Sequence, residues 1–186
     1  MSNPAIFLDR DGTINEDPGY ISDPEKLVLI PEAGTALSLL KKNGYLLVVI
    51  SNQSGIARGL MTAEDVDRVN SRLNSLLEKF NVKIDAFYYC PGHPEFSTEE
   101  ECECRKPSTK LLFEAVNKFN IDLNKSYFVG DLVSDIECGK NAGIKTILVR
   151  TGKGEESFSI LQKENNFPTF VADNLLNACN FILADN

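Results

Sequence analysis

No apolar stretch in the 186-residue chain approaches the ~20 residues that a membrane-spanning helix needs. Nor is there a charged segment followed by a long apolar run of the secretory type. Met-Ser-Asn-Pro leads at once into the short run Ala5–Leu8. The chain is therefore expected in the cytoplasm, with no membrane partner. A basic run is missing as well: 19 Lys and Arg stand against 27 Asp and Glu, a formal net charge of −8. That balance repels phosphate backbones, so nucleic acid is not an expected partner. Internal repeats, low-complexity tracts and convincing linkers are also lacking, and the length suits one domain spanning residues 1–186. A monomer is expected. What remains is an ordinary globular composition, 42% hydrophobic and 25% charged. Five cysteines are an odd number. Three crowd between Cys90 and Cys104, which in a reducing compartment suggests metal binding more than disulfides.

Short apolar runs alternate with helical patterns. Strands are predicted over 5–9, 45–51, 86–90, 126–131 and 146–149, none with polar alternation, as in buried parallel strands. Helices are predicted over 32–43 before Gly44, and over 63–80 after a capping-box-like Thr62-Ala-Glu-Asp65. In the latter, Val66, Val69, Leu73, Leu76, Leu77 and Phe80 form one apolar stripe. Two more are expected from Ser108 to Phe119 and over 134–141. The last ~30 residues are less readable, with an edge strand over 169–172 before a final helix. The alternation implies an α/β fold: a doubly wound parallel sheet with helices on both faces. Ligands bind beyond the carboxyl ends of such strands, which is where the polar motifs fall.

Asp9-Arg-Asp11-Gly12-Thr13 closes the first strand. If the strand continued, Asp9 and Asp11 would point to one side, roughly 7 Å apart. Their mutual repulsion asks for a cation or a proton, and Mg²⁺ prefers such oxygen ligands. One carboxylate could attack phosphorus while the other handles the leaving-group proton. Ser51-Asn52-Gln53-Ser54 ends the second strand and could hold phosphate oxygens, with Arg58 nearby. Arg105-Lys106 could neutralise charge during phosphoryl transfer, or could be a solvated surface pair. Asp131 closes the fourth strand, placed to join Asp9 around a metal. Asp135 could orient metal-bound water or simply start a helix. Finally Cys90, His93 (the sole histidine), Cys102 and Cys104 match the donor set of tetrahedral Zn²⁺; unliganded cysteines in a loop are the plain alternative.

Taken together, Asp9-x-Asp11-Gly-Thr, Ser51-Asn52, Lys106 and Gly130-Asp131-x-x-x-Asp135 resemble the haloacid dehalogenase superfamily of phosphatases. Within it, the runs Asn52-Gln-Ser-Gly-Ile-Ala-Arg-Gly59 and Cys102-x-Cys-Arg-Lys-Pro107 resemble the D-glycero-D-manno-heptose 1,7-bisphosphate phosphatase family. The resemblance runs from about residue 4 to residue 152. It implies Asp9 as nucleophile and Asp11 as general acid and then base. It implies a catalytic Mg²⁺ on Asp9, the Asp11 carbonyl and Asp131, with Asp135 a further candidate. Ser51 and Lys106 would bind the transferring phosphoryl group. Asp17, Gly19, Tyr20, Asn52, Gln53, Ser54, Arg58 and Arg105 would meet a phosphorylated sugar, Arg105 at its distal phosphate. Structural zinc would sit on Cys90, His93, Cys102 and Cys104. The family's histidine usually lies two residues after the first cysteine; here that position is Gly92 and His93 follows it. No large cap domain is inserted, so a flap over 15–29 and a zinc loop over 90–104 would shape the pocket.

The implied reaction is hydrolysis of the C7 phosphate of the heptose bisphosphate. The alternatives are a histidinol-phosphate phosphatase or another small-metabolite phosphatase of this fold. From another class come a non-catalytic phospho-ligand-binding module and a zinc-dependent nucleic-acid binder, which the acidic charge opposes.

Overall fold

The computed structural model describes residues 2–185. Six strands form one parallel sheet: β1 (Ala5–Leu8), β2 (Leu46–Asn52), β3 (Ala86–Cys90), β4 (Tyr127–Gly130), β5 (Lys145–Val149) and β6 (Phe170–Ala172). Their spatial order is β3-β2-β1-β4-β5-β6. The order reverses around β1, between β2 and β4. Such a switch point opens a crevice at the carboxyl ends of the strands.

The strands lack polar alternation because both sheet faces are covered. On β1, Ile6 and Leu8 pack into one core cluster, while Ala5 and Phe7 pack into the other. Helices α1 (Ala33–Lys42), α2 (Ala63–Leu77) and α7 (Leu175–Ala184) supply residues to the first cluster. Helices α4 (Lys110–Phe119) and α5 (Val133–Asn141) supply the second. A short α3 (Glu99–Cys102) lies in the loop after β3, and α6 (Gly154–Lys163) follows β5. Among the described residues no helix is long and apolar enough to cross a membrane.

Strand and helix expectations mostly stand within two residues. The stripe of α2 is buried at Val66, Val69, Leu73 and Leu77, and its start is a complete capping box of Thr62 and Asp65. The predicted extension to Phe80 is a separate 3₁₀ turn over Glu78–Phe80. Helix α6 was not anticipated. Its first turn carries Gly154, Glu155 and Glu156 and its inward residues are few, Ser157 and Leu161, so its apolar periodicity is faint.

Candidate active site

The site begins where β1 stops. The strand ends at Leu8, and Asp9 N donates to Val129 O of β4 at 3.0 Å. The chain then folds into a tight turn, with Ile14 N and Asn15 N both donating to Arg10 O at 2.8 and 3.2 Å. Gly12 has φ of 85°, and a Cβ there would lie 2.3 Å from Asp131 Oδ2. Glycine is thus required for conformation and for space. Because the strand does not continue, Asp9 and Asp11 are not strand neighbours on one side; the turn brings both to the crevice instead.

Asp9, Asp131 and Asp135 each offer a carboxylate oxygen within 4.8 Å of the others, and all three are buried. Burial pushes the Asp9 carboxyl well up; Lys106 opposes that shift, and Asp135 and Asp131 add to it. Burial and then Asp135 raise Asp131 to about 7, against a hydrogen bond from Lys153 N. Three carboxylates forced together in this way fit a hard divalent cation, which would favour their ionised forms against burial and mutual repulsion.

Lys106 is the counter-charge. Its Nζ lies 2.7 Å from Asp9 Oδ1 and 2.6 Å from Asp135 Oδ1, and it donates to Ile50 O at 2.7 Å. Burial disfavours its ammonium, but Asp135 and Asp9 outweigh burial and hold the group charged. Asn52 fastens the backbone of this residue: its Oδ1 accepts from Lys106 N at 3.0 Å and its Nδ2 donates to Lys106 O at 3.3 Å. Asp135 Oδ2 accepts from Leu132 N at 3.0 Å at the start of α5. Asp135 thus caps the start of α5 with one oxygen and faces Lys106 with the other.

A cavity of about 360 Å³ opens above these groups. Asp9, Asp11, Asp17, Gly19, Tyr20, Asn52, Gln53, Ser54, Arg105 and Lys106 line it. Ser51 lies beneath, 3% exposed, its Oγ accepting from Gln53 Nε2 at 3.2 Å. Arg58 is not part of the lining. Its guanidinium stacks over Phe96 and its Nη2 lies 2.9 Å from His93 Nε2.

The four zinc donors do not gather. Cys90 and Cys104 form a disulfide and Cys102 is a free thiol, while His93 faces Arg58. The disulfide removes two thiolates from the expected set. The histidine, one residue beyond the usual position, is engaged elsewhere.

A curated relative from Chlorobaculum tepidum, a D-glycero-D-manno-heptose-1,7-bisphosphate 7-phosphatase, is 44% identical, covering 95% of this chain and 92% of its own. The chain belongs to this family of phosphatases. The Escherichia coli K12 member, a D-glycero-beta-D-manno-heptose-1,7-bisphosphate 7-phosphatase, is 44% identical over 82% of each chain. The HAD-hydrolase-like family model matches residues 103–178. Among solved structures, the D,D-heptose 1,7-bisphosphate phosphatase of B. bronchiseptica, complexed with magnesium and phosphate, superposes with a TM-score of 0.87. It is 27% identical and covers 98% of this chain and 99% of its own. The phosphatase fold is thus shared almost end to end, which agrees with the absence of a large inserted cap.

Sequence reasoning missed Leu132, Ser134 and Lys153, which also line the cavity. The first two flank the recognised Asp131 and Asp135. Lys153 follows β5, a strand whose end carries no recognisable motif. Arg10, at the unspecified position of the Asp9-x-Asp11 motif, is 1% exposed.

Proposed function

We propose that this protein is a Mg²⁺-dependent phosphatase that removes the C7 phosphate of D-glycero-D-manno-heptose 1,7-bisphosphate through an aspartyl-phosphate. The observation that carries the reading is the pair of buried ion pairs that Lys106 makes with Asp9 and Asp135, with Asp131 beside them, in a chain of this family.

Asp9, Asp131 and Asp135 would hold the magnesium ion. When bound, it would screen the nucleophile from the incoming phosphate and offset charge developing on the transferring group. A carboxylate oxygen of Asp9 attacks phosphorus; the bond from phosphorus to the sugar C7 oxygen breaks, and that oxygen takes a proton from Asp11. Lys106 keeps its charge throughout and steadies the equatorial oxygens together with Ser51. Water then attacks the aspartyl-phosphate, Asp11 takes its proton, phosphate departs and both aspartates return to their starting state. Arg105 would receive the distal phosphate. Its Nη1 donates to Gly92 O at 3.1 Å, which leaves the rest of the guanidinium fork to the cavity.

The deciding assay is phosphate release with Mg²⁺ from both anomers of the heptose bisphosphate, beside histidinol phosphate and fructose 1,6-bisphosphate. A large preference for one heptose anomer is expected. Comparable slow turnover of all four would overturn the substrate, and no turnover would leave only a phosphate-binding module.

Zinc in the loop over 90–104 is a separate reading. With Cys90 and Cys104 reduced, three thiolates and His93 are the donors of a tetrahedral site; with the disulfide formed they are not. Metal analysis of protein purified under reducing conditions decides between one zinc per chain and none.

A further inference from the structure

Arg10 is the largest fully buried side chain of the described residues. A guanidinium fills core volume at high cost. Buried ion pairs can often be replaced by apolar groups with no loss of stability. Its contacts therefore identify its task. Arg10 Nε donates to Asp11 Oδ1 at 3.2 Å, and Nη2 reaches Oδ1 at 3.1 Å and Oδ2 at 2.8 Å. The third nitrogen, Nη1, donates to Asn70 Oδ1 of α2 at 2.8 Å, and Asn70 is itself buried. Sequence neighbours in a strand point to opposite faces. Here the turn after Asp9 lets residue 11 fold back onto residue 10, so the fork and the carboxylate meet side by side.

Two more donors complete the cradle. Asn15 Nδ2 reaches Asp11 Oδ1 at 2.8 Å, and Gln53 Nε2 reaches Asp11 Oδ2 at 2.9 Å. Gln53 also touches Ser51, which ties the cradle to the second strand. Every donor except Arg10 is neutral.

We propose that Arg10, bolted to α2 through Asn70, is the positioning residue that aims the Asp11 carboxyl at the leaving oxygen. This rests on the proposed role of Asp11 as acid and base. A bidentate fork fixes both the position and the plane of a carboxylate. A lysine, with one point of charge, fixes neither.

The test is a double-mutant cycle of Arg10→Lys and Asp11→Asn, read on two substrates. One is the heptose bisphosphate, whose leaving oxygen needs a proton. The other is p-nitrophenyl phosphate, whose first-turnover release of nitrophenolate does not. Arg10→Lys is expected to lower kcat on the sugar substrate by on the order of 10²-fold, the scale of a lost general acid, with KM little changed. The nitrophenolate burst should fall far less, and adding Arg10→Lys to Asp11→Asn should cost almost nothing more. Asn70→Ala, which loosens the anchor without touching the charge, should give a smaller loss with the same substrate dependence, and it serves if Arg10→Lys does not fold. Losses that multiply in the double variant, or that are equal on both substrates, would overturn the positioning role. An Asp11→Asn variant with full activity would instead overturn the acid–base reading itself.

Discussion

Asp9 and Lys106 show how one residue can set the state of its neighbours. Burial drives the Asp9 carboxyl up, and the Lys106 ammonium opposes that shift without reversing it, while Asp135 and Asp131 add to it. Asp9→Asn is expected to reduce turnover by on the order of 10³-fold or more, as removal of a covalent nucleophile does, with the thermal melting temperature kept or raised. Substantial residual phosphate release, contaminants excluded, would rule out covalent catalysis at Asp9. Lys106→Ala leaves Asp9 and Asp135 facing each other without a cation. It should cost about 3 kcal/mol or more in urea unfolding without magnesium, the usual penalty for breaking a buried pair from one side. Arg105→Ala should raise KM for the bisphosphate more than for the 7-monophosphate. Equal effects would remove Arg105 from the distal phosphate.

At the scale of elements, the helices that carry few site residues still govern the site by where they start. Helix α2 brings Asn70 to Arg10, and its first turn is fixed by Thr62 and Asp65, with Asp65 N donating to Thr62 Oγ1 at 3.1 Å and Thr62 N donating to Asp65 Oδ2 at 2.8 Å. Thr62→Ala should lower stability by about 1 kcal/mol while kcat stays near the parent value, as measured by chemical unfolding and steady-state assay. A large fall in kcat would mean that the start of α2 is coupled to the Arg10 anchor far more tightly than its distance along the helix suggests. The loop after β3 is the element where sequence and structure part. Its three cysteines and one histidine read as a metal site, yet two sulfurs are joined and the histidine lies against Arg58. The loop's own contents do not choose between those arrangements, since spacing limits which donors can meet but not which bond the sulfurs form.

For the whole molecule, the three clustered carboxylates make metal and stability inseparable. Asp131 is raised from 3.8 to about 7, so between those values the folded chain binds more protons than the unfolded one. The stability this group contributes is present below about pH 4 and is lost as pH rises through 7. Magnesium needs the ionised carboxylates and binds the folded state, so it should raise the melting temperature more at pH 8 than at pH 5. Equal shifts at both pH values would contradict this linkage. The positions of most strands, the two-faced burial and the acidic ends of β1 and β4 were legible in the chain, because apolar runs without alternation fit covered parallel strands and each motif follows a strand directly, whereas the spatial order of the strands was not. The sequence by itself therefore determined the architecture, and it named Asp9, Asp11, Lys106 and Asp131 as the residues that the crevice gathers. Only the tertiary structure decided that Arg10 turns inward to grip Asp11, that Lys153 joins the cavity, that Arg58 does not and that Asn52 fastens Lys106. These depend on where a turn sends a side chain and on which distant element receives it, and neither is written in local spacing.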